Sequence, residues 1–245
     1  MREAVFRPYG RRAAPRALPE RMDGETAFET FRDTLESLAS VNRMTFGYRP
    51  NLRFLDRALE NRRGAKPLLI VDVGSGYGDG LRAMARHLAA RGVEAELVGV
   101  DRNPHAARAS VEVAMEETPG VKIRWITADV FDYARRAPRP DLVTSALFTH
   151  HLEDEALPRF LRWMDGTARA GWLVNDLYRS RFAAAGFGLA ATLLRKHPFV
   201  RHDGPVSFAR SFRSADWRRF LAEAEIEGAE LRIGAPFRLC VEKHV

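Results

Sequence analysis

An α/β fold with a doubly wound, mostly parallel sheet is what this 245-residue sequence predicts. Three observations lead there. The stretch "LLIVDVG", from Leu68, is a continuous branched-apolar run, as a strand buried on both faces requires. It breaks into closely spaced glycines and then into a helical pattern. Four further strand-like runs come before residue 178, most of them separated by helix-like segments.

Each element has its own warrant. Residues 1–24 read as a flexible basic arm, because "RPYGRRAAPR" (Arg7 to Arg16) is dense in Arg, Pro and Gly. Residues 25–64 read as an N-terminal helical cap. Phe28, Phe31, Leu35 and Leu38 recur at three-to-four spacing, and Leu52, Leu55 and Leu59 repeat it before a stop at Gly64. Residues 65–245 form the main domain. "DGLRAMARHLAARG" is its first helix, "AELVGVD" its second strand and "NPHAARASVEVAMEET" its second helix. The strands "KIRWITADV" and "PDLVTSALFTH" come next, then the helix "EDEALPRFLRWMDGTA" and the strand "GWLVNDL". Residues 178–213, which hold "FAAAGFGLAATLLRKH" and "PFVRHDGPVSFARSF", are too long for a simple connection and read as an inserted helical lid. "SADWRRFLAEAEI" restarts a helix with Ser214 at its N-cap, and the alternating tail reads as a two-strand hairpin.

Composition narrows the class. The chain is 46% hydrophobic and 29% charged, ordinary for a globular domain. Its single cysteine, Cys240, excludes an intrachain disulfide and fits a cytoplasmic location. No apolar run reaches the roughly 18 residues of a membrane span. The net charge of +7 is scattered along the chain, so nucleic acid is not an expected partner.

The glycine turn carries the chemistry. Gly74, Gly76 and Gly78 sit where a tight turn lets a ligand lie against bare backbone at a helix N-terminus. Asp72 stands two places before Gly74. A carboxylate there repels a pyrophosphate but suits a ligand with an ammonium and a sulfonium, which favours S-adenosylmethionine over a dinucleotide. Asp101 ends the second strand, where it can accept from both ribose hydroxyls. Asp129 ends the third, where it can accept from an adenine amino group with Val130 beside the ring. Ser75, Arg102 and Ser145 complete the expected cofactor contacts.

The strings "VDVGSGYGD", "VGVDRNP", "ITADVFD" and "DLVTSALFTHHL" resemble the successive motifs of the class I S-adenosylmethionine-dependent methyltransferases. The match covers about residues 66–177. The resemblance implies a Rossmann-like sheet of seven strands whose last runs antiparallel. It implies that Asp72 and Gly74 hold the methionine end, Asp101 the ribose and Asp129 the adenine. The sequence departs from the branch that methylates exocyclic amines of nucleic acid, which carries an N-P-P-Y-like string where this chain reads S-A-L-F-T-H-H. "FTHHL" looks instead like the small-molecule, quinone and polyketide methyltransferases.

The acceptor side is read from the residues past the fourth strand. His150 and His151 lie at the reacting edge of the sheet, and an imidazole can take a proton from a phenol as the methyl arrives. His202, on the lid beside Asp203, is a third candidate. Phe148, Asn175, Tyr178 and Arg49 are expected to bind the acceptor. No metal site is expected, since neighbouring residues such as those of "HHLEDE" rarely share one ion. The expected activity is methyl transfer to a hydroxyl of a small aromatic, polyketide-like or quinone-like metabolite. C-methylation, RNA or protein methylation, and a non-catalytic cofactor-binding subunit are the alternatives, and a homodimer is left open.

Overall fold

The computed structural model describes residues 9–60, 62, 66–114, 117–234 and 236–245. Two helices, α1 (Phe28–Met44) and α2 (Arg49–Glu60), precede the sheet. The expected stop at Gly64 lies outside the described residues. The alternating core then runs β1 (Leu68–Val73), α3 (Asp79–Ala89), β2 (Ala95–Asp101), α4 (Pro104–Glu112), β3 (Val121–Thr127), α5 (Val130–Ala134), β4 (Leu142–Ala146), α6 (Ala156–Thr167) and β5 (Gly171–Leu177). After it come α7 (Arg181–Leu193), α8 (Pro198–Arg210), α9 (Ser214–Glu223), β6 (Glu230–Gly234) and β7 (Arg238–His244).

The seven strands lie in the order β3-β2-β1-β4-β5-β7-β6. β7 pairs antiparallel with both β5 and β6, and the other pairings are parallel. The sheet order reverses between β1 and β4, so their carboxyl ends flank a crevice, the place where open α/β sheets take ligands.

The period-2 alternation of each strand splits the core into two layers. Val71, Val73, Val143, Trp172 and Val174 pack with Leu157, Phe160 and Met164 of α6 and Trp217 and Phe220 of α9. Their neighbours Ile70, Leu142 and Leu173 point the other way, onto Phe54 and Leu55 of α2 and Leu81, Met84 and Leu88 of α3. Continuous apolar runs are thus what a sheet covered on both faces needs.

Two expectations change. The part of the basic arm that is described is held down rather than free. Arg12 reaches in to the carbonyl of Arg210 at 2.7 Å and that of Leu152 at 2.6 Å, and it pairs with Asp154. The Ala13 amide bonds the Ala209 carbonyl at 3.0 Å, and Arg21–Asp23 close a 3-10 turn. The segment from Tyr9 to Gly24 is a strap across the strand ends, fixed by polar contacts that no apolar periodicity announces. The lid segment 178–213 is helical, as expected, and its second helix, α8, runs on through Pro205. That helix lies close against α7 because Gly204 has no side chain: a Cβ there would stand 2.0 Å from the Phe187 ring. Finally, α9 begins one residue earlier than expected: Ser214 is its first residue and Arg213 its N-cap.

Candidate active site

The cofactor edge is built from β1, β2 and β3. Gly74, Gly76 and Gly78 all take positive φ (70°, 50° and 69°), which only glycine adopts without strain. Two of them also make room for neighbours. A Cβ on Gly74 would meet the Phe148 ring at 2.5 Å, and one on Gly78 the Trp125 ring at 2.1 Å. At Gly76 a Cβ would find only Leu35, at 3.7 Å, so that glycine leaves backbone open instead.

Acids ring this turn. Asp72 is buried at 5% exposure and accepts the Thr144 hydroxyl at 2.6 Å. Burial pushes its pKa up to about 7; Asp79 and Asp101 add to the rise and the Thr144 hydroxyl opposes it. Asp101 accepts the Gly76 N–H at 3.0 Å and the Asn103 N–H at 2.9 Å, and burial raises its pKa as well. Asp129 caps α5 by accepting the Phe131 N–H at 2.8 Å, with buried Val130 next to it. The crescent is a set of carboxylates short of cations, chemistry that fits a ligand bearing positive charge.

Ser75 belongs to the turn through its backbone: its carbonyl accepts the Gly78 N–H at 2.8 Å. Arg102 is exposed beside Asp101. Ser145 does not suit a cofactor contact. It is fully buried, and its hydroxyl donates to the Val73 carbonyl at 3.0 Å, tying β4 to β1.

The acceptor edge runs on from β4. Leu147 takes a φ of 53°, unusual for a branched residue, and turns the chain into Phe148 and the 3-10 turn Thr149–His151. Phe148 lies half-buried between Gly74 and Phe160, 5.6 Å from the latter. Asp176, at the end of β5, organises the turn. It accepts from the Thr149 hydroxyl at 2.5 Å, the His150 amide at 3.0 Å, the Leu177 amide at 2.8 Å and the His150 Nδ1 at 2.7 Å. Burial alone would raise its pKa; the imidazole and the donated hydrogen bonds outweigh it and hold Asp176 well below the usual carboxylate range.

His151 stacks on His150 with ring centroids 4.4 Å apart. Its Nδ1 meets Asp23 at 2.8 Å and Arg210 at 3.1 Å. Arg210 is fully buried and bonds Asp23 at 2.7 Å and the His150 carbonyl at 3.2 Å. Asp23, again against the effect of burial, is held well below the carboxylate range by His151 and Arg210. Buried Glu20 closes the group and accepts the Ser207 hydroxyl at 2.9 Å.

Four expected residues lie apart from this group. His202 pairs with Asp203 at 2.7 Å, and Asp203 is anchored to the Arg21 and Met22 amides. The pair fastens α8 to the strap. Asn175 donates to the Gly47 carbonyl at 2.9 Å and to Asn51 at 2.7 Å, and the Cys240 thiol points at its oxygen. Buried and fully engaged, it ties the α1–α2 turn to the sheet. Arg49 is exposed and stacks on Phe46 at 3.9 Å. Tyr178 is half-buried against the α6–α9 layer, its amide bonded to the Phe237 carbonyl at 2.8 Å. Conversely, Glu20, Asp23, Arg12 and Arg210 are not legible in the sequence as site residues. One signal exists: Glu20 and Asp23 stand close together in an otherwise arginine-rich segment.

A family model described as a methyltransferase domain matches residues 70–171, the span from β1 to the start of β5. Over that span the chain is similar to a methyltransferase domain, in agreement with the class I S-adenosylmethionine-dependent methyltransferase motifs in its sequence. Solved structures agree on the fold. The plantazolicin methyltransferase BpumL, in complex with a pentazolic desmethylPZN analog and SAH, has a TM-score of 0.62 at 14% identity, over 89% of this chain and 96% of that one. Human N-acetylserotonin methyltransferase, in complex with SAM, has a TM-score of 0.59 at 14% identity, over 89% and 56%. The CMeT domain of the citrinin polyketide synthase reaches 0.55 at 13%, over 80% and 51%. No curated protein matches the chain. No helix among the described residues is long and apolar enough to cross a membrane.

Proposed function

We propose that this methyltransferase transfers the methyl group to a hydroxyl of a small aromatic, polyketide-like or quinone-like acceptor. One observation carries the reading. Two stacked imidazoles stand at the end of β4, each fixed at Nδ1 by a carboxylate.

Asp72 would face the cationic methionine end, Asp101 the ribose and Asp129 the adenine, with Val130 against the ring and the backbone of Gly74, Ser75 and Gly76 alongside. S-adenosylmethionine bound there supplies an activated methyl, whose C–S bond breaks with its electron pair going to sulfur while the acceptor oxygen forms the new C–O bond and its proton leaves. The chain then has two tasks: to align the hydroxyl and to ease the loss of its proton. The imidazole pair does both, and Phe148 offers an apolar wall beside it.

His151→Ala tests this. We expect turnover to fall about 100-fold or more while cofactor affinity by calorimetry stays within a factor of about two. Full activity in the variant, measured as methyl gain by mass spectrometry on a phenolic acceptor, would remove the imidazole from the reaction.

A further inference from the structure

We propose that Glu20, His150 and His151 bind a divalent metal ion, and that the acceptor of this methyltransferase is an oxygen chelator, such as a phenol with a second oxygen on the neighbouring carbon. The ion site stands on geometry alone. The acceptor class deepens the O-methylation reading and rests on it: the imidazole pair then activates the hydroxyl through the ion.

The ligand atoms of the three residues lie within 4.8 Å of one another. The His150 Nε2 is 3.6 Å from one Glu20 oxygen and the His151 Nε2 is 3.8 Å from the other. These gaps are too long for hydrogen bonds. They are close to the separation of two ligands on one ion, since donors about 2.1 Å from a metal stand roughly 3.4 Å apart at the tetrahedral angle.

The outer nitrogens point to the same use. His150 Nδ1 is bonded to Asp176 at 2.7 Å and His151 Nδ1 to Asp23 at 2.8 Å. A carboxylate only accepts, so each imidazole keeps its proton on Nδ1 and turns the Nε2 lone pair toward Glu20. Arg210 also approaches the His151 Nδ1, at 3.1 Å, but the carboxylate is nearer and cannot donate. Histidines that ligate metals are held in this way by a carboxylate on the far nitrogen. Ser207 steadies one Glu20 oxygen in turn.

Charge agrees: Glu20 is buried at 7% exposure beside one guanidinium, that of Arg210 at 3.4 Å, which it shares with Asp23. Three protein ligands leave positions open, as in sites that react. His151 is the most accessible of the three, its side chain 31% exposed.

The test uses the full-length protein stripped of metal and titrated with Co²⁺, without cofactor or acceptor. We expect one ion per chain, the visible absorption of a low-coordinate Co²⁺ site, and its loss in Glu20→Gln and in His151→Ala. Asp23→Asn should weaken the ion about 10- to 100-fold, and His202→Ala should leave it unchanged. Absence of Co²⁺ and Zn²⁺ binding, or binding indifferent to Glu20→Gln and His151→Ala, overturns the site. Methylation of a catechol that survives chelation of the ion overturns the acceptor class while leaving O-methylation intact; ion binding with transfer to carbon or nitrogen alone overturns that reading and leaves the site standing.

Discussion

The two edges of the crevice handle charge in opposite ways. On the cofactor edge, Asp72 is buried near Asp79 and Asp101, Asp101 is half-buried, and loss of water raises both. On the acceptor edge, buried Asp176 is held below the normal range by His150, and the more exposed Asp23 by His151 and Arg210. The first set is incomplete without a cation, and the second already has its partners. Glu20 is the informative exception: it sits on the acceptor edge, but burial raises it as it does the cofactor acids.

The edges also differ in how they are held. The cofactor acids bond within their own turns, Asp101 to Asn103 two residues on and Asp129 to Phe131 likewise. The acceptor acids bond across the chain, Asp23 to a histidine 128 residues away and to an arginine 187 away. A network so interlocked should fail as a unit. Asp176→Ala is the largest expected effect. It strands His150 and the Thr149 hydroxyl, and removing one partner of a buried pair costs about 3–5 kcal/mol. That should lower Tm by roughly 10 °C. A loss below about 1 kcal/mol in denaturant titration would mean that the acceptor edge is not coupled as described.

Asp101→Ala comes next and should act on binding. Two charge-assisted hydrogen bonds to ribose hydroxyls, at about 1.5 kcal/mol or more each, amount to about 100-fold in cofactor affinity. The Gly76 and Asn103 amides it also serves lie partly exposed, so its effect on stability should be smaller than that of Asp176→Ala. Unchanged affinity by calorimetry would refute the ribose assignment and with it the division of labour between the edges.

This contrast explains what is legible in the sequence alone. The sheet order, the glycine turn and the three strand-end acids are local patterns: an apolar run, a change of period, a carboxylate at a fixed offset. The strap carries no such pattern, because its anchor, Arg12, works through backbone carbonyls of Leu152 and Arg210 rather than through an apolar face. Asn175 looks available in the sequence because its partners, Gly47 and Asn51, are more than 120 residues away. His202 next to an acid resembles a catalytic pair, and only the fold shows that Asp203 is already engaged by Arg21 and Met22.

The smallest effect is the one that probes the cofactor edge alone. Asp72 faces Thr144 of β4, Asp79 of α3 and Asp101 of β2, and its pKa lies at about 7, against 3.8 for an ordinary aspartate. Between those values the native state holds a proton that the unfolded chain has lost. The free protein should therefore lose stability as pH rises through that window, at up to about 1.4 kcal/mol per unit. A bound cation prefers the ionised carboxylate, so cofactor affinity should move the other way, rising with pH by up to about tenfold per unit until it levels off near 7. Calorimetry from about pH 5.5 to about pH 8.5 checks the sign. In Asp72→Asn the rise should flatten, leaving the shallower contribution of Asp101, whose shift has the same direction. A slope that persists undiminished in that variant would place the titrating group elsewhere, and the cofactor edge would no longer be the one waiting for charge.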